Sequence, residues 1–188
     1  MEKRLTREEL LQNLIRQLED PFCSAEKYAD IKNILFTSDT FHGVNHLFLA
    51  KLYLDGVKDF LPVDEKECLH QIELALKEGN HNAYFFLYLF YRKVGDFSKA
   101  RNFLRLSYDR HYPDALLAMG KESMEGILFQ KDLSFAYACF RRAIDLGRKK
   151  EGYYHMVLID TMLGNTKRAR EDYEKAKKDG VLLPGVVE

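Results

Sequence analysis

Four times along this chain a small residue is followed seven positions later by another: Cys68/Ala75, Ala100/Ser107, Ala136/Ala143 and Ala169/Ala176. A glycine comes four positions after three of these pairs, at Gly79, Gly147 and Gly180, and His111 takes its place in the second. The first members lie 32, 36 and 33 residues apart. Two turns of helix take about 7.2 residues, so each pair sits on one stripe of a helix. A unit of this length cannot bury its apolar face alone and needs a neighbour stacked on it. The pattern therefore predicts a helical repeat array.

A second set of anchors precedes each pair, at Asn45, Ala83, Ala115 and Gly152. Apolar or small residues follow at steps of three or four: Leu49, Ala50 and Tyr53; Leu87, Tyr88 and Tyr91; Met119, Gly120 and Ser123; Met156, then Asp160. Such steps place them on one helical face. Gly56, Gly95, Gly126 and Gly164 close these segments where a left-handed C-cap is wanted. Each repeat thus reads as a first helix (A) and a second (B). The B helices begin at Asp64, Asp96, Asp132 and Asn165, whose side chains accept from free first-turn amides. Pro113 suits the first turn of the third A helix. Small residues at the pair positions let helices cross at about 8–10 Å, with Leu104, Phe140 and Tyr173 filling the flanks.

The segment Ala115-x3-Met119-Gly120-x2-Ser123-x2-Gly126, followed by Ala136-Tyr137-Ala138-Cys139-Phe140-Arg141-Arg142-Ala143-Ile144-Asp145-Leu146-Gly147, resembles a Sel-one-like repeat, a relative of the tetratricopeptide repeat. Residues 83–111, with the tight Gly95-Asp96-Phe97 link, are closer to an ordinary tetratricopeptide unit. Anchor-to-anchor spacings of 23, 17, 21 and 17 assign long links to the first and third units and short ones to the second and fourth. Ser107, His111, Gly152 and Asp160 depart from the family pattern.

The resemblance implies an all-α fold, a right-handed α-solenoid of about four helix-turn-helix repeats with N-terminal capping helices, in one structural domain. The boundaries read as capping helices over 1–40, repeats over about 42–80, 81–112, 113–148 and 149–181, and a C-terminal tail over 182–188. Within the first segment, residues 5–19 and about 24–37 read as helices separated by Asp20-Pro21. They would cover the first repeat's apolar edge. The apolar tail either folds back on the last helix or enters a neighbour's groove.

Twenty-nine Lys/Arg balance 29 Asp/Glu, which argues against a protein built to hold nucleic acid. The balance hides a polarity: residues 1–80 carry ten basic against fifteen acidic residues, and 81–188 carry nineteen against fourteen. Self-association through these unlike ends is one reading of that asymmetry. No apolar stretch reaches the roughly 18 residues of a membrane span, and the charged start does not resemble a secretory signal. Cys23, Cys68 and Cys139 are odd in number and far apart, which suits reduced thiols and a cytoplasmic setting.

Catalytic motifs are absent. Gly147-Arg148-Lys149-Lys150-Glu151-Gly152 has the glycine spacing of a phosphate loop but continues Tyr153-Tyr154 in place of Lys-Ser/Thr. His42 and His46 are four apart, yet no third ligand lies at a helpful spacing. Neither a cofactor nor a metal is expected. In tetratricopeptide-like arrays the A helices line the concave side, which locates the expected surface at offsets from the A anchors not used in packing. Those offsets select Lys51, Asn82, Phe85, Leu89, Arg92, Leu117, Lys121, Met124, Tyr154 and Leu158, beside Leu47 and Leu54. Apolar and aromatic side chains interspersed with cations suit a peptide or protein surface with apolar anchors and acidic residues. The reading is a non-catalytic interaction scaffold; self-assembly, or a ligand-binding or metal-dependent enzyme using the histidines or Tyr84, Tyr88 and Tyr91, are the alternatives.

Overall fold

The computed structural model describes residues 24–37, 42–57 and 61–184, together with Asn13, Arg16 and Gln17. The helix expected over 5–19 lies outside the described residues apart from those three, which are helical, and so does Asp20-Pro21. Regular structure among the described residues is α-helical, with one isolated antiparallel bridge between Val57 and Leu61. Contacts gather the chain into two compact units, 1–94 and 95–188. The first holds α1 (Ala25–Thr37), α2 (Val44–Asp55), α3 (Glu65–Lys77) and α4 (Ala83–Lys93). The second holds α5 (Phe97–Asp109), α6 (Pro113–Glu125), α7 (Leu133–Asp145), α8 (Lys149–Met162) and α9 (Thr166–Lys178). The A helices are α2, α4, α6 and α8, and the B helices are α3, α5, α7 and α9.

Local chemistry sets the helix ends. Asp64 Oδ1 accepts from the Lys66 and Glu67 amides at 3.0 and 2.9 Å, Asp96 from Lys99 at 3.0 Å, and Asp132 from Phe135 at 2.8 Å. Each bond satisfies an amide that the helix leaves without an internal partner. Asn165 holds the N-cap position of α9 but its side chain makes no cap bond. Its own amide instead donates to the Asp160 carbonyl at 2.8 Å, the tie that Asp64 makes to Tyr53 and Asp132 to Ser123. All three acceptors stand eight residues after an A anchor, so this closure is common to long and short links. The chain leaves α5 through His111 at φ 58°, in the register where Gly147 leaves α7 at φ 93°. An L-residue pays about 1–2 kcal/mol for that backbone region.

In the first unit Ile31 of α1 packs on Leu49 and Leu52 of α2, while Ala50, Cys68, Ala75 and Ala83 are fully buried at the helix contacts. In the second unit the apolar stripes of α6 to α9 close on Leu116, Phe140, Val157 and Ile159. Phe140 sits where two A helices come close. A Cβ added at Gly120 would lie 2.6 Å from its ring, and one at Gly152 would lie 2.9 Å from its carbonyl oxygen. Only glycine permits both approaches. After α9 the Val181 amide donates to the Ala176 carbonyl at 2.9 Å, and Leu183 is buried in the same core. The tail thus folds back on its own unit as far as Leu183; residues 185–188 lie outside the described residues.

Candidate functional site

The A-helix positions behave differently in the two units. In the first, Asn82, Phe85, Leu89 and Arg92 follow at steps of three, four and three, so α4 carries them on one stripe. Phe85, Leu89 and Arg92 are half-buried and Asn82 is exposed at the N-cap, where its side chain makes no cap bond. Phe85 is steadied by ring contacts with Tyr88 at 5.6 Å and Phe86 at 6.2 Å. Lys51 is exposed and already paired, its Nζ 2.6 Å from Asp55 Oδ2 one turn along α2. An exposed pair of this kind contributes at most about 1 kcal/mol, so a partner carboxylate can compete for it.

In the second unit Lys121 is exposed, while Met124, Tyr154 and Leu158 are half-buried. Met124 and Tyr154 rest against the core, and the Tyr154 ring meets His155 edge-on at 5.2 Å. Leu117 does not line a surface: it is only 7% exposed and belongs to the core. Leu47 and Leu54 of α2, at 5% and 4%, are likewise interior. The cause is the width of the buried stripe. Every residue from Ala115 to Gly120 is buried, because α6 is packed on more than one side, so an offset outside the anchor stripe still points into protein.

Two clefts of the second unit lie on its B-helix side, where sequence reasoning did not look. Helices α7 and α9 enclose a cleft of about 760 Å³ whose floor is Tyr153 and Met156 of α8. Two fully buried acids organise it. Asp172 accepts from the Tyr137 hydroxyl and from Lys175 Nζ at 2.8 Å. Asp160 lies 3.6 Å from Arg168 Nε, and the Arg168 guanidinium sits 4.1 Å above the Tyr137 ring. Burial pushes the Asp160 carboxyl above its usual range, with Arg168 pulling the other way. Burial, then the bond to Asp172, pushes the Tyr137 phenol up to about 12. A second cleft of about 580 Å³ lies between α5 and α7, over Met119 and Ser123 of α6. The one sequence signal for the first cleft was Asp160, an acid on an otherwise apolar stripe.

No protein-family model and no curated protein matches this chain. Among solved structures it is similar to a protective antigen present in uropathogenic Escherichia coli strains, described as displaying an SLR fold. The superposition has a TM-score of 0.58 at 21% sequence identity, covering 81% of this chain and 33% of that one. This chain has the SLR fold. It is an all-α helical repeat fold of the solenoid class, and the chain spans about a third of the antigen's length.

His46 of α2 places Nδ1 2.7 Å from Gln71 Oε1 of α3 and Nε2 3.3 Å from Oε1 of Glu78, the C-cap of α3, so both ring nitrogens are engaged. His42 precedes α2 at φ 53°, and the two histidines therefore share no helical face. Among the described residues no group of three or more His, Cys, Asp or Glu is placed to hold a metal ion. Cys68 and Cys139 are free and buried, and burial pushes both thiols up to about 12, far from the thiolate a nucleophile needs. Cys23 lies outside the described residues. His155 stacks on Phe140 at 4.7 Å, and burial lowers it to about 4. His111 meets the Arg142 guanidinium at 3.1 and 3.0 Å from its two ring nitrogens.

Proposed function

We propose that this chain is a non-catalytic protein-interaction module that docks a peptide or protein surface on its A helices. The supporting observation is the α4 stripe: Phe85 and Leu89 stay partly uncovered beside Arg92. Aromatic and arginine side chains dominate binding energy at interfaces, and half-buried ones lose little rotamer freedom on docking. Tyr154, Leu158 and Lys121 repeat that combination in the second unit. The partner would present apolar anchors with acidic neighbours. Buried, protonated thiols favour a reducing compartment, and we assign the chain to the cytoplasm on that ground. The even charge balance speaks against nucleic acid as the partner, and no helix among the described residues is long and apolar enough to cross a membrane.

The test is affinity capture with quantitative mass spectrometry, comparing the parent chain with the Phe85→Ala/Lys121→Glu variant. The expected outcome is loss of a specific partner from the variant with helical content unchanged by circular dichroism. Equal capture by both would remove the A-helix assignment.

A further inference from the structure

One edge of the second unit, where each B helix ends and the next A helix begins, is basic. Residues 141–151 and 175–182 carry eight Lys/Arg against three Asp/Glu, and adding the turn at 109–114 makes it nine against five. Side-chain contacts bring these turns together. Asp179, the C-cap of α9, accepts from the Tyr153 hydroxyl at 3.0 Å and lies 3.2 Å from Lys149 Nζ, both on α8. Arg142 in the last turn of α7 meets His111 just past α5.

Pairing inside the protein uses only part of this charge. Arg148 is held by Asp114 at 2.7 and 2.8 Å, Lys149 by Asp179, and Lys175 by buried Asp172 at 2.8 Å. Arg141, Lys150, Lys177 and Lys178 are exposed and have no ion-pair partner among the described residues. Local helix stability accounts for Lys177 and Lys178, which stand in the last turn of α9, where the helix dipole favours cations. It does not account for Lys149 and Lys150, which open α8 at the end where the dipole favours acids. Two leucines face outward beside these cations. Leu146, the C-cap of α7, is 44% exposed, and Leu182, two residues past the Gly180 turn, is 85% exposed although Leu183 next to it is in the core.

We propose that this edge rests on the surface of an anionic lipid bilayer, with Leu182 entering the boundary between headgroups and acyl chains while Lys150, Lys177 and Lys178 meet the negative headgroups. A leucine flanked by lysines matches a surface whose charge lies directly above an apolar layer. A nucleic acid would offer the charge alone and leave Leu182 in water. Contact of this kind needs no spanning helix, and none of these residues belongs to the A-helix docking face.

The experiment is co-sedimentation of the full chain with phosphatidylcholine vesicles containing about 30% phosphatidylserine, against vesicles of phosphatidylcholine alone. Binding is expected to the anionic vesicles only, and it should weaken as salt rises. Each cation near such a surface strengthens partitioning about fivefold, so Lys150→Gln/Lys177→Gln/Lys178→Gln, which neutralises three exposed side chains, should weaken binding by roughly tenfold or more. The chain has no tryptophan, so Leu182→Trp supplies a single fluorescent reporter at the tip, and its emission should shift to the blue on the anionic vesicles. No binding to the anionic vesicles overturns the proposal, as does equal binding to the neutral ones. Undiminished binding by the triple variant, or a bound Leu182→Trp protein whose emission does not move, overturns it as well. Capture of a thymidine oligonucleotide without capture of the vesicles overturns it in favour of nucleic acid.

Discussion

Replacing Gly152 with alanine sets two physical effects against each other with opposite signs. Gly152 lies inside α8, and alanine at an exposed interior helix position is favoured over glycine by about 1 kcal/mol. Helix propensity alone therefore predicts a more stable protein. The packing predicts the reverse. The added methyl would stand 2.4 Å from Ile144 Cγ1 and 2.9 Å from the Phe140 carbonyl oxygen. Ile144 can turn aside at the cleft wall, but the carbonyl belongs to the backbone of α7 and moves only if α7 and α8 separate by several tenths of an ångström. Overpacking of this kind costs about 1–3 kcal/mol, and separation also loosens the contacts around Phe140. The net expectation is destabilisation of about 1–2 kcal/mol, or a melting temperature lower by about 2–8 °C for a chain of this length. Thermal unfolding followed at 222 nm, with a chemical denaturation midpoint to confirm it, measures the effect. A Gly152→Ala protein that melts at or above the parent temperature would refute the close approach of α7 and α8, and with it the role of this anchor.

Two further outcomes follow from single residues. His111→Gly should raise stability by about 0.5–1 kcal/mol, because glycine relieves the φ 58° backbone while only an exposed contact with Arg142 is lost; a lower urea midpoint would contradict this. His155 is held neutral in the folded state down to about 4, whereas an unfolded histidine takes up its proton near 6.5. Its contribution is therefore complete above about 6.5 and is lost as the pH falls toward 4. A His155→Phe protein should show a shallower loss of stability over that window, measured by denaturant midpoints at successive pH values, and parallel curves for the two proteins would show that His155 is not the group involved.

Much of the fold was legible because its signals are local. Asp64, Asp96 and Asp132 cap their helices through bonds that span two or three residues, and His111 stands in the glycine register that the repeat period identifies. Cys68 reads as a packing residue for the same reason, its position in the repeat. The expected surface was less legible. Offsets from an anchor locate a side chain around one helix axis, but whether that direction faces solvent depends on how many helices surround it. Leu117 is interior because α6 is enclosed, while Leu89, on the less enclosed α4, is not.

The sequence by itself determined the helical repeat, its period, the ends of most helices and the residues at the tight contacts, since each follows from backbone chemistry and spacing along one chain. Tertiary structure alone decided which outward positions remain open. It buried Asp160 and Asp172 as the acids that fix Arg168 and Tyr137, and it formed the clefts between successive B helices. A cleft is a property of the space between helices, set by their separation and by every side chain on both walls, and no single stripe of one helix encodes it.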